Sequence, residues 1–197
     1  MKKIAVFASG SGTNFQAIID AVKSGGLDAD IRLLVSDRPG AYCLERAEAN
    51  GVPSFAFRAK EFESKQAYEE EILGRLKESG AEFIILAGYM RLIGEVLLAE
   101  YEGRIVNIHP SLLPSFPGKD AIGQALAARV PISGVTVHYV DAGMDTGPII
   151  AQQSVKLDEE ETRESLQEKI HQIEHKLYPA TLKKIFAENA ARVSSSK

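Results

Sequence analysis

KIAVFASGSGTNFQAII, residues 3–19, begins as an apolar run holding Val6 and Phe7 and breaks at Ser9-Gly10-Ser11-Gly12. It resumes with Phe15, Ile18, Ile19 and, just beyond, Val22 at the helical spacing i, i+3, i+4, i+7. The stretch reads as strand, tight loop and helix. Working outward, Gly25-Gly26 stops that helix, and 31–35 is a continuous apolar run of the kind a strand covered on both faces of a parallel sheet requires. A helix over about 42–50, a strand over 52–57, an amphipathic helix marked by Tyr68, Ile72, Leu73 and Leu76, and an apolar strand over 82–87 follow in turn. Alternating strands and helices predict an α/β fold, a doubly wound, mostly parallel sheet with helices on both faces.

Beyond Tyr101 the pattern changes. Pro110, Pro114, Pro117 and Gly118 fall within nine positions, which forbids regular structure and predicts a functional loop. Residues 132–140 and 148–155 read as two strands joined by the turn-rich 141–147. Leu166, Ile170, Ile173 and Leu177 form the stripe of a final helix, with Thr162 or Asp158 as its N-cap, and 193–197 read as a polar tail. No repeat and no linker divides the chain, so a single domain over 1–197 is expected.

Composition narrows the function. Acidic residues number 27 against 23 basic ones, a net charge of −4, which leaves no broad electropositive field for nucleic acid. The longest apolar stretch, 83–90, is far short of the roughly 20 residues that cross a bilayer, and the N-terminus has no secretory pattern. Cys43 is the only cysteine, which excludes an intramolecular disulfide and a multi-thiolate metal site. A cytoplasmic protein, monomer or homodimer, with small-molecule partners is expected.

Four groups of residues are able to carry chemistry. Gly10-Ser11-Gly12-Thr13-Asn14 lies where free backbone N–H groups and the positive end of a helix dipole converge, a place that favours phosphate. The dinucleotide fingerprint would need glycine at Phe15, and a P-loop would need a lysine that is absent, so the nest suits one phosphate monoester. A tight turn that merely caps the helix accounts for the same residues. In Ile105-Val-Asn107-Ile-His109-Pro110 the period of two puts Asn107 and His109 on one face, at the strand end where open α/β sheets bind ligands. Here too a structural role, satisfying loop carbonyls, remains open. The 141–147 loop offers Asp141 and Asp145, each of which also suits a self-bonded turn, and its Gly143 and Gly147 would allow it to move. Finally, His171-Gln-Ile-Glu174-His175 matches a zinc hydrolase signature in which His171 and His175 would hold the metal beside Glu174 as base. Cys43 reads as a buried thiol, and Gly88-Tyr-Met90-Arg91-Leu92-Ile93 as a wall for a flat ring or as ordinary core. Lys65 and His138 draw notice without a partner in view.

Taken in order, ASGSGTNFQAII, LAGYMRLI, NIHPSLLPSFPG, VHYVDAGMDTGPII and IEHKLYP resemble the phosphoribosylglycinamide formyltransferases, folate-dependent enzymes of purine biosynthesis. The resemblance spans residues 4–179. It implies a Rossmann-like fold and transfer of a formyl group from 10-formyltetrahydrofolate to glycinamide ribonucleotide, without a metal. It also implies that the ribonucleotide phosphate sits on Gly12, Thr13 and Asn14, with Glu174 at the ribose or glycinamide end in place of the zinc reading. A folate site of Lys65, Met90, Arg91, Leu92, Ile93, Asn107, Val140 and Asp141 is implied, as is a catalytic trio of Asn107, His109 and Asp145. The chain departs from many relatives at 116–124, where a histidine-containing stretch is replaced, leaving the contacts of Lys119 and Asp120 open. Formyltetrahydrofolate hydrolases and methionyl-tRNA formyltransferases share the trio, but the extra domains they usually carry do not fit in 197 residues.

Overall fold

The computed structural model describes residues 1–195. Its elements are β1 (Lys2–Phe7), α1 (Thr13–Lys23), β2 (Ala29–Ser36), α2 (Tyr42–Ala49), β3 (Ser54–Ala56), α3 (Lys65–Ser79) and β4 (Phe83–Leu86). They continue with α4 (Glu95–Glu100), β5 (Ile105–His109), α5 (Ala121–Ala127), β6 (Ile132–Tyr139), β7 (Ile149–Lys156) and α6 (Arg163–Ser195). The strands form one sheet in the order β3-β2-β1-β4-β5-β6-β7. The first five strands pair in parallel, while β6 and β7 add antiparallel. This is the doubly wound α/β sheet the alternation predicts.

The period of two in each strand divides the apolar residues between two cores. Ile4 and Val6 of β1, Phe83 and Ile85 of β4, and Val106 and Ile108 of β5 pack on one face with α1, α2 and α6. Ala5, Phe7, Ile84, Leu86 and Ile105 pack on the other with α3 and α4. Strand order reverses between β1 and β4, and the crevice at the carboxyl ends of strands flanking such a point is where this architecture binds ligands. Tyr178, fully buried on α6, sets its hydroxyl 2.8 Å from the Leu86 carbonyl and 3.0 Å from that of Val106. It ties α6 to β4 and β5 one turn from Glu174, so α6 forms a wall of that crevice.

Three local expectations change. Helices α4 and α5 have six and seven residues, too short for an apolar stripe to repeat, so the sequence pattern gives no sign of them. α4 is started from outside: buried Glu69 of α3 accepts the Gly94 N–H at 2.6 Å. The polar tail is not a tail at its start, because α6 runs through Pro179 and continues to Ser195; residues 196–197 lie outside the described residues. Of the two caps proposed for α6, Thr162 accepts the Ser165 N–H at 3.1 Å, whereas Asp158 pairs with Lys169.

Candidate active site

β5 brings Asn107 and His109 to the crevice on the side opposite Val106 and Ile108, and two loops close around them. The first, 110–118, has no regular structure but many anchors. The Thr136 hydroxyl on β6 accepts the Leu113 N–H at 3.0 Å and donates to the Ser111 carbonyl at 2.7 Å, and Gln152 donates to the Leu113 carbonyl at 2.9 Å. The Leu113–Pro114 bond is cis. Phe116 adopts φ 55°, costly for a bulky residue, and its carbonyl faces His109 Nε2 at 2.9 Å. A carbonyl only accepts, so Nε2 carries the hydrogen and Nδ1 is left toward Asp145.

Asp145 comes from the second loop, with φ 56°. Its Oδ2 lies 3.4 Å from His109 Nδ1 and accepts the Gly118 N–H at 2.8 Å, which joins the two loops. Its Oδ1 lies 3.5 Å from Asn107 Nδ2 and 3.6 Å from His138 Nε2. Burial pushes the Asp145 carboxyl up, but the neighbouring His138, the Gly118 N–H and the His109 ring together outweigh it. The carboxyl is held below the usual aspartate range. His138, opposite Asn107 in the β5–β6 register, bonds the Tyr139 carbonyl through Nδ1 and sets Nε2 3.2 Å from Asn107 Nδ2, fixing which way the amide points.

At the other end of the crevice, Gly12 starts α1 with φ 71° and no side-chain cap, so the N–H groups of its first turn are open. The nest is braced from behind by α2: Cys43 N–H bonds the Gly10 carbonyl at 3.0 Å and Arg46 Nε the Ser11 carbonyl at 2.7 Å. Cys43 itself is buried, and burial pushes its thiol up. Asn14 donates to Glu174 Oε2 at 3.0 Å, and Asn14 Oδ1 is buried without a partner.

Glu174 is 5% exposed, and burial pushes its carboxyl up to about 7, against a smaller downward pull from Asn14. A carboxyl whose folded pKa exceeds its unfolded value near 4.5 stabilises fully below that value, and the benefit is lost as pH rises through about 7. The loss amounts to about 3 kcal/mol. Glu174→Gln, which has no proton to lose, is therefore expected to exceed the wild type in stability by up to about 3 kcal/mol at pH 8. Below pH 4.5 the two should agree. Urea denaturation at both pH values checks this, and identical pH dependence in the two proteins would refute the assignment.

Along the third side runs 88–94. Met90 and Leu92 are half exposed and, with Met144 and Val140, give the crevice an apolar rim. Ser9 Oγ accepts the Met90 N–H at 2.9 Å, and Arg91 is drawn to Asp37, with Nε 3.0 Å from Oδ2. Lys65 stands at the edge of the same crevice. One cavity of about 970 Å³ runs from the Gly12–Asn14 nest past Asn107, His109 and Asp145 to the 90–93 rim.

A family profile described as formyl transferase matches residues 2–182. This chain belongs to the formyl transferase family. The phosphoribosylglycinamide formyltransferase of Bacillus subtilis (strain 168) is 55% identical over 189 residues, covering 96% of this formyl transferase and 97% of the relative. Among solved structures, phosphoribosylglycinamide formyltransferase from Bacillus halodurans superposes with a TM-score of 0.93 at 55% identity, over 95% of this chain and 97% of that one. Glycinamide ribonucleotide transformylase 1 from Geobacillus kaustophilus gives 0.92 at 62% identity, over 94% and 98%.

Of the residues expected in the site of this formyl transferase, Gly12, Thr13, Asn14, Lys65, Met90, Arg91, Leu92, Ile93, Asn107, His109, Val140, Asp145 and Glu174 border the cavity. Asp141 does not. Its carboxylate holds its own loop, accepting Gly143 N–H at 3.0 Å and the Thr146 hydroxyl at 2.7 Å, the self-bonding that aspartate in a turn favours. Gly143 and Gly147 are closely surrounded: a Cβ would lie 2.0 Å from Thr146 Oγ1 in the first and 1.8 Å from the Tyr139 carbonyl in the second, so neither position has space for a larger side chain. Asp120 caps α5 and pairs with Arg163, while the Lys119 carbonyl accepts from Gln124. His171 and His175 stack with ring centroids 5.9 Å apart, and burial pulls both rings down. Glu174 is committed to Asn14, and among the described residues no three His, Cys, Asp or Glu side chains converge as a metal site.

Proposed function

We propose that this chain transfers the formyl group of 10-formyltetrahydrofolate to the primary amine of glycinamide ribonucleotide, giving formylglycinamide ribonucleotide and tetrahydrofolate, as a step of de novo purine biosynthesis. The observation that carries the reading is the continuity of one cavity. A nest of helix N–H groups suited to a phosphate lies at one end, an apolar rim suited to a flat ring at the other, and Asn107, His109 and Asp145 between them. The named relatives, similar over nearly the whole chain, support the same substrates.

The attacking group is the substrate's own amine, so no protein nucleophile is needed. As the amine nitrogen bonds to the formyl carbon, negative charge gathers on the formyl oxygen. Asn107 Nδ2 is placed to donate to it, exchanging the long 3.5 Å contact with Asp145 for the oxyanion. A donor of this kind is worth roughly 3–4 kcal/mol in other acyl-transfer enzymes. The amine must shed a proton, and His109 Nδ1, whose other nitrogen is committed to Phe116, is the group positioned to take it directly or through water. Ionised Asp145, 3.4 Å away, stabilises the resulting imidazolium, which then supports the oxyanion and supplies the proton as the bond to the folate nitrogen breaks. At the ribonucleotide end, Glu174 and the unpartnered Asn14 Oδ1 offer acceptors to ribose hydroxyls or the glycinamide group. Holding both reactants in register contributes up to about 7–11 kcal/mol.

The test is formyl transfer with purified protein, following tetrahydrofolate release with and without glycinamide ribonucleotide. Release that requires the ribonucleotide is expected. Release without it would make the chain a hydrolase, and no release would overturn the reading.

A further inference from the structure

Asp37 ends the second strand's turn outside the cavity, 8% exposed, and the chemistry above gives it no part. We propose that it is a positioning residue for the folate: through Ser9 and Arg91 it fixes the 88–91 backbone that borders the folate end of the cavity. The inference rests on the functional reading above and adds a determinant of folate affinity to it.

The geometry is a chain of three links. Asp37 Oδ1 accepts the Ser9 hydroxyl hydrogen at 2.5 Å. A hydroxyl has one hydrogen, so with that hydrogen committed, a Ser9 lone pair is left aimed at Met90, whose N–H it accepts at 2.9 Å. Asp37 Oδ2 meanwhile takes Arg91 Nε at 3.0 Å, with the guanidinium over the Tyr68 ring at 5.8 Å. Ser9 is 1% exposed, and its own N–H bonds the Gly88 carbonyl at 3.0 Å. Ser9, in the turn that follows β1, thus ties that turn to 88–91 at both Gly88 and Met90, and the far end of the loop is held at Gly94 by Glu69.

The two oxygens of a carboxylate meet both demands, one each, because Ser9 and Arg91 each present a donor. Asparagine has the same shape with one acceptor and one donor, so either Ser9 or Arg91 would face an N–H. The phosphate nest follows Ser9 in the chain, yet it has separate braces in Cys43 and Arg46 from α2. A fault at Asp37 therefore reaches the folate side and spares the ribonucleotide side, which no general loosening of the fold would do.

Asp37→Asn is expected to raise the folate KM about tenfold while kcat and the ribonucleotide KM stay within about twofold. Hydrogen exchange at the Met90 amide should quicken. Ser9→Ala, the milder change should the first variant fold poorly, is expected to act in the same direction. The double variant should fall short of the product of the two effects, since both act through one chain of bonds. An unchanged folate KM in both folded variants, or equal rises in both KM values, would overturn the inference. Should the wild type transfer no formyl group, the functional reading fails on its own. Calorimetric binding of tetrahydrofolate to wild type and Asp37→Asn then decides this one, with weaker binding to the variant supporting it and equal binding overturning it.

Discussion

Replacing His109 with alanine is expected to lower turnover about a thousandfold while both KM values stay within about threefold. The ring is 5% exposed, and its two nitrogens face the Phe116 carbonyl and the Asp145 carboxylate. Neither contact binds a ground-state substrate, so its loss falls on the transition state, where the amine proton and the oxyanion charge appear together. Losing one such donor costs roughly 2.7–4 kcal/mol elsewhere, and losing the proton acceptor adds a further factor of about 10² or more. Some of the sum is recovered because Asp145 keeps its Gly118 bond and can still draw a water into the vacated space. Steady-state kinetics with each substrate varied in turn is the check. Near-normal turnover would remove His109 from the chemistry, and a KM rise matching the fall in turnover would make it a binding residue. Asp145→Asn provides a cross-check: with the ionised partner gone, its effect should not multiply with that of His109→Ala, because the two act as one unit.

Much of the architecture could be read from sequence because it is written locally. The first strand, nest and helix occupy one continuous stretch, and the period of two in β5 was sufficient to put Asn107 and His109 on one face. What escaped was set by pairings distant in sequence. His138 meets Asn107 only because β6 pairs antiparallel with β5 in one register, and a slip of a single residue would turn it to the other face. Asp37, Ser9 and Arg91 come from three separate carboxyl-end loops, and no spacing rule joins residues 28 and 54 positions apart. Helices α4 and α5 are shorter than two helical turns and owe their starts to Glu69 and Asp120, so no periodicity was available to reveal them. Asp141 is a case where a local rule and the resemblance give different roles. The resemblance assigns it to the folate, while its carboxylate bonds the neighbouring Gly143 N–H and Thr146 hydroxyl, the turn bonding the sequence also allowed.

Gly12→Ala is expected to reduce kcat/KM for the ribonucleotide about a thousandfold, with folate binding changed little. Two independent obstacles meet at this position. The backbone has φ 71°, where an L side chain costs about 1–2 kcal/mol. Space is also lacking: an added Cβ would lie 2.7 Å from Cys43 Cβ and 3.0 Å from Cys43 Cα, and these atoms belong to a helix packed on the core. Neither neighbour can rotate aside, so the nest itself must move, carrying the Thr13 and Asn14 N–H groups off the phosphate. Hydrogen bonds to a charged group are worth about 1.5–3 kcal/mol each, and losing two accounts for the expected effect. The folate end is tied to Ser9 and β4 rather than to Gly12, which predicts the selectivity. Inorganic phosphate provides a probe free of catalysis: if it inhibits the wild type in competition with the ribonucleotide, that inhibition should disappear in Gly12→Ala. Undiminished competition in the variant would place the phosphate elsewhere. Truncating Cys43 to glycine in the same chain removes the Cβ that obstructs the new methyl while leaving the φ penalty and the 3.0 Å approach to Cα. Partial recovery of ribonucleotide binding in that double variant is therefore the signature that steric displacement of the nest, not conformational strain alone, causes the loss.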